Sequence, residues 1–231
     1  MQQPLKFGVS AVTADGRDVG SLYRVVIEVG EQGGLNAPGA GTVTAITVRR
    51  RLLESGNLLK PGGWEAPRDL RVPFTAVTGA DGGEVRLALT EEEFLALPPY
   101  VLGEVAEPEP GFRPSAGFAA EDVAMEVSGA LGGVYRRPTA EQDNRTPTER
   151  HLSHETAVWQ REPHAHAGDL DIVLMDDVSN GVEALVVRQG VLFSHDALVP
   201  ASYVVDLLDD LVHIDIPAGN VHALPPYRPQ Q

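Results

Sequence analysis

The sequence predicts a mainly β protein: two small antiparallel barrels in tandem, joined by a linker that is partly helical or disordered. Three observations carry this. The first is an internal repeat. Val72-Pro73, Val85, Leu87, Leu89 and Ala96-Leu97-Pro98-Pro99-Tyr100 recur as Val199-Pro200, Val212, Ile214, Ile216 and Ala223-Leu224-Pro225-Pro226-Tyr227, every pair 127 residues apart. Ungapped self-similarity at one offset marks a duplicated unit. The second is period-two alternation of apolar residues in the matched stretches, the pattern of half-buried strands. The third is turn chemistry between those stretches, at Asp15-Gly16, Asp81-Gly82-Gly83 and Asn180-Gly181.

In chain order, 7–13 reads as a first strand, and Asp15-Gly16 as a type I′ hairpin turn, which needs φ > 0 at both central positions. Strand two covers 19–29, with Tyr23, Val25, Ile27 and Val29 on one face. A glycine-rich loop, 30–41, precedes strand three at 43–48, and a second long loop, 52–70, precedes strand four at 70–77. Asp81-Gly82-Gly83 turns into strand five, 84–89. Thr90 followed by Glu93 is a capping-box pattern, so 91–97 should form one or two helical turns ended by Pro98-Pro99.

The second copy follows the same plan with shorter loops. Gly168 matches Gly20, Val173-Leu174-Met175 matches Val25-Val26-Ile27, and Asn180-Gly181 reads as another I′ turn. From the matched glycine to the Val-Arg pair takes 28 residues in copy one and 19 in copy two; from there to Val-Pro takes 24 against 12. Both differences fall in loops, where insertions cost little. The units are expected at 5–101 and 151–228, each able to fold alone. The acidic, proline-rich linker 102–150 carries a possible short helix over 119–131, where Ala120, Val123, Ala124, Val127 and Leu131 recur at helical spacing.

On the Asp-Gly and Val19-Gly20 hairpin, the Val-Val-Ile strand, Thr47-Val48-Arg49, Val72-Pro73 and the final helix, the chain resembles the PRC-barrel family. In copy two the likeness rests on Ala184-Leu185-Val186-Val187-Arg188, Gly190-Val191-Leu192-Phe193 and Leu198-Val199-Pro200-Ala201. That small barrel is shared by the cytoplasmic part of the photosynthetic reaction centre H subunit and the C-terminal domain of a ribosome maturation factor. The resemblance covers about 7–100 and 155–227. It implies a non-enzymatic domain that docks on other proteins, with a ribosome-maturation or photosynthetic-complex factor acting by protein contact as the alternative.

Composition narrows the partners. Acidic residues outnumber basic ones 33 to 18, for a net charge of −15, and 151–231 holds 12 of the acids against 3 basic residues. Such a surface repels phosphate backbones, so direct nucleic-acid binding is not expected and a protein partner is. There is no cysteine, which excludes disulfides and thiolate chemistry. No run approaches the roughly 20 apolar residues of a membrane span. The opening residues lack an apolar signal region, so a cytoplasmic address is expected.

Few residues carry recognisable chemistry, and no catalytic residue or cofactor is assigned. His164 and His166 could place two imidazoles on one strand face near Glu162 and Asp169, the basis of an alternative reading as a metal-dependent enzyme. Because the pair aligns with the hairpin turn of copy one, a solvated turn is expected and no metal assigned. His151 and His154 read as part of a polar stretch, and Arg49-Arg50-Arg51 as edge-strand charge. Partner binding is assigned to Leu58, Leu59 and Trp64 in the long loop of copy one, since recognition concentrates on loops presented by rigid sheets.

Overall fold

The computed structural model describes residues 2–30, 33–35, 41–50, 69–100, 145–189, 195–216 and 224–229. Its strands are β1 (Gln2–Lys6), β2 (Ser10–Val12), β3 (Asp18–Glu28), β4 (Thr42–Arg49), β5 (Asp69–Pro73), β6 (Val77–Ala80) and β7 (Glu84–Leu87), followed by helix α1 (Glu91–Leu95). The second copy supplies β8 (Glu149–Ser153), β9 (Ala157–Gln160), β10 (Ala165–Asp176), β11 (Val182–Gln189), β12 (His195–Pro200), β13 (Val204–Leu208) and β14 (Leu211–Ile214). The fold is mainly β. Leu58, Leu59 and Trp64, and the helix expected over 119–131, lie outside the described residues.

The repeat extends to topology. One sheet runs β5-β4-β3-β2-β7-β6, the other β12-β11-β10-β9-β14-β13, so each strand is matched by the one seven later. Two features depart from antiparallel barrels. Each sheet is mixed, because β2 pairs with β7 in parallel, and β9 with β14 likewise. Neither is closed by a ladder among the described residues. Its two end strands are joined instead by the chain itself, through single 3-10 turns at Phe74–Ala76 and Ala201–Tyr203. Pro73 and Pro200 open those turns, and having no N–H to donate they interrupt the strand where it must bend.

The first strand of each copy is exchanged. β1 pairs with β10 of the second sheet, Leu5 opposite Val173; β8 pairs with β3 of the first, Leu152 opposite Val25. Leu5 and Leu152 are both 0% exposed, each filling the other copy's interior. Buried residues of both copies accordingly form one contiguous core, from Leu5 and Val25 through Val173 to Ile214. The halves are stitched further where Val43 N–H donates to Asn180 O (2.9 Å) and Val182 N–H to Gly41 O (2.8 Å). Repeat boundaries in the sequence are therefore not sheet boundaries.

The two long strands bend at matched glycines. Gly20 (φ +138) and Gly168 (φ +139) sit at register shifts, and a Cβ on either would lie 2.3 Å from the carbonyl oxygen of Arg49 or Arg188. No other residue fits there.

Local signals explain the remaining elements, with some differences in detail. The Thr90 and Glu93 capping box forms as expected, giving one turn of helix that buries Phe94. Both Asp15-Gly16 and Asn180-Gly181 make hairpins, but neither is type I′, since only Gly16 and Asn180 have positive φ. At the first, Gly16 N–H donates to Thr13 O and Thr13 N–H to Arg17 O. At the second, the Asp176 carboxylate accepts from the N–H groups of Val178 and Ser179, so a side chain shapes a longer loop. The strand read over 7–13 shortens to Ser10–Val12, and β1 precedes it.

Candidate functional site

The outward face of the first sheet carries the densest polar network among the described residues. Ladder pairing fixes its members: Arg24 opposite Thr47 and Thr47 opposite Arg71 cross β3, β4 and β5, while Arg24 opposite Ser153 and Val26 opposite His151 bring in β8. Residues two apart on a strand share a face, so Glu149, His151 and Ser153 project together.

Three carboxylates organise this face. Asp69, 6% exposed, accepts from Arg49 Nε (2.8 Å) and Nη2 (3.2 Å) and from Arg24. The two guanidinium groups lie over the Tyr23 ring, at 4.2 Å and 3.2 Å from its centroid, which joins cation–π attraction to the ion pairs. Glu149, 4% exposed, takes both arms of Arg71, the Thr44 hydroxyl (2.9 Å) and the Thr146 N–H (3.0 Å). Burial alone would raise its pKa, but these donors hold it below the usual carboxylate value. Burial acts on Asp209 in the same direction; there the His151 imidazole and the Arg145 guanidinium outweigh it and push the carboxyl far down.

His151 is the hinge of the network. It is 3% exposed, with Nδ1 3.0 Å from Asp209 Oδ1 and its N–H donating to the same oxygen (3.1 Å). Its Nε2 lies 3.4 Å from Asp210 Oδ2 but makes no hydrogen bond among the described residues. Ser153 Oγ donates to Asp210 Oδ1 (3.0 Å). The exchanged strand is thus gripped on one side by the β3 ladder and on the other by the β13–β14 turn. Tyr100 packs edge-on to His151 (6.2 Å) over Val26 and Ala45. Burial pushes the Tyr100 hydroxyl well above its usual pKa, so it stays protonated.

The sequence-based expectations fare differently one by one. Arg49 is not an edge charge: β4 lies between β3 and β5, and its guanidinium is paired. His151 is not in a solvated stretch, whereas His154, 56% exposed, is surface-lying with its ring against Tyr23 (5.7 Å). His164 and His166 both contact Trp159, one stacked at 4.9 Å and the other tilted at 5.3 Å, and His166 Nε2 is 3.4 Å from Asp169. Among the described residues no group of three or more His, Cys, Asp or Glu side chains is arranged to hold a metal.

The network was missed because Asp209 is 58 residues from His151 and Glu149 is 78 from Arg71. A signal existed in the repeat itself: at the 127-residue offset Arg71 stands where copy two has Leu198. Chemically, the arrangement locks two halves together and presents a paired, charged surface with an aromatic centre. No helix among the described residues is long and apolar enough to cross a membrane. No family model matches the chain, and no curated protein matches it.

Proposed function

We propose that the chain is a non-enzymatic, cytoplasmic protein-binding or assembly module built from two PRC-type barrels. The observation that supports this reading is the reciprocal exchange of β1 and β8, which joins the two units through shared sheets with two differently finished outer faces. Charges on the first face are committed to one another: Asp69 to Arg24 and Arg49, Glu149 to Arg71, Asp209 to Arg145 and His151. A net charge of −15 favours a partner with a basic surface and disfavours direct contact with nucleic acid.

Affinity purification of the full chain from its native host, beside Trp64→Ala, tests the reading. A protein enriched by the wild type and lost from the variant, at unchanged melting temperature, is the expected result, because truncating a buried interface aromatic costs about 2 kcal/mol or more. A large fall in melting temperature with capture intact assigns Trp64 to the fold. The absence of any enriched protein sinks the reading.

A further inference from the structure

We propose that the outer edge of β6 is a strand-acceptor site for an extended, glycine- and leucine-bearing segment of a basic protein partner. This rests on the protein-binding reading and names the mode of contact.

The molecule contains its own template. In the second sheet the corresponding edge, that of β13, is already occupied by residues 33–35 from copy one. Leu207 N–H donates to Gly33 O (2.9 Å), and Leu35 N–H donates to Val204 O (3.2 Å). Leu35 is buried in the core, and Gly33 (φ +75) comes so close that a Cβ would sit 2.9 Å from Asp206 Oδ1.

The 127-residue offset maps Leu207 onto Ala80 and Val204 onto Val77. Register agrees, because Ala80 faces Val85 as Leu207 faces Val212, and Val77 faces Leu87 as Val204 faces Ile214. Asp81 N–H donates to Glu84 O (3.4 Å), so the neighbouring Ala80–Val85 pair is the non-hydrogen-bonded one and the Ala80 N–H points away from β7. The loop that would cover this edge by symmetry, between β10 and β11, spans only 177–181 and ends in a bridge to Thr42. Exposure follows coverage: Val204 and Leu207 are 0% exposed, whereas Val77 and Ala80 are half-buried.

Among the described residues no backbone hydrogen bond reaches this edge of β6, and an unpaired edge beside a shallow apolar strip is what strand addition requires. The template sets the occupant's pattern, glycine at the closest approach and leucine two residues on. The net charge of −15, most of it outside residues 1–100, favours basic flanks by long-range attraction.

The test titrates the full chain with a synthetic peptide of its own residues 29–37 carrying an added lysine at each end. Anisotropy of the labelled peptide and amide exchange by NMR are followed. We expect saturable binding, slowed exchange at the Ala80 amide, and binding at least about tenfold weaker in Ala80→Pro, which removes the edge donor and leaves a peptide carbonyl unpaired. Wild-type exchange data and a peptide with leucine replaced by aspartate keep the test decisive should the proline variant fold poorly. Unchanged Ala80 exchange at large peptide excess overturns the proposal. So does a dimer of the chain that Ala80→Pro abolishes, since the occupant is then a second copy. A native partner captured equally by wild type and Ala80→Pro overturns the edge site while leaving the protein-binding reading intact.

Discussion

The two outer faces occupy the same positions of the same topology and are made of opposite materials. Where the first sheet has Arg24, Thr47 and Arg71, the second has Ile172, Val186 and Leu198. Above the exchanged strands, Glu149 and His151 on one side correspond to Gln2 and Pro4 on the other. Tyr100 caps the charged face, and Tyr227 packs on an apolar one with Ile172, Leu174, Ala184 and Val186. Ladder and core suffice to specify the fold, so the faces were free to diverge.

The edges show one problem solved twice. An unpaired N–H on an outer strand invites another chain to pair with it. On β8 the outward N–H of His151 is taken by Asp209 Oδ1, and that of Ser153 by Thr156 Oγ1. On β1 the position matching His151 is Pro4, which has no N–H.

The comparison breaks most readily at what the halves share. Leu5→Ala and Leu152→Ala should each destabilise the protein by about 2–5 kcal/mol, the range for a fully buried leucine. Urea melts of the full chain should keep one cooperative transition, shifted in both variants; a variant that melts in two steps, with one half untouched, would mean that the units are independent despite the exchange.

A sharper contrast uses the faces themselves. Glu149→Gln removes the charge that takes both arms of Arg71, whose side chain is 21% exposed, and should cost about 3 kcal/mol, the lower end for breaking a buried pair. Importing the second sheet's residues together, as Arg71→Leu with Glu149→Gln, should restore most of that loss, because a buried ion pair and its apolar replacement are often close in stability. If the double variant is worse than the single, the charged face is required for folding.

Acid should act chiefly on the first face, where the shifted Glu149 carboxylate is buried. The carboxyls of Glu149 and Asp209 titrate below their usual values of 4.5 and 3.8, so the stability they contribute is complete above those values and is lost as pH falls through the depressed pKa of each. Melting temperature should fall from pH 5 toward pH 3, less steeply in Glu149→Gln and Asp209→Asn. The apolar positions of copy two add nothing to that slope. The smallest effect belongs to Arg86→Ala: its pairs with Asp81 and Glu84 are exposed on both sides, and calorimetry should register no resolvable change in stability.

How legible each part was follows from where its partners lie. The strands around Val25, Val48, Val72 and Val85 show in the alternation, and α1 in its capping box, because those signals are local. β1 was not legible: Gln2-Gln3-Pro4-Leu5-Lys6 has one fully buried residue and a proline, and its partner begins at Ile172. The parallel pairing of β2 with β7 is likewise a product of tertiary closure. Turn types were misread because Asp-Gly and Asn-Gly permit positive φ at two positions without requiring it. Of the candidate site, Arg49 was noticed and misassigned, while the commitment of His151 to Asp209 could be found only by bringing the two copies together.

The exchange also dictates an order of events during synthesis. Val25 emerges with its strand early, but its neighbour on the open side is Leu152, 127 residues later. At about 5–20 residues per second that is a wait of roughly 6–25 seconds. Throughout it the first half is a nascent sheet with an unfilled slot, able to accept any passing strand. Slower translation lengthens that exposure, so the yield of native protein should depend on how soon the ribosome delivers the second copy's first five residues.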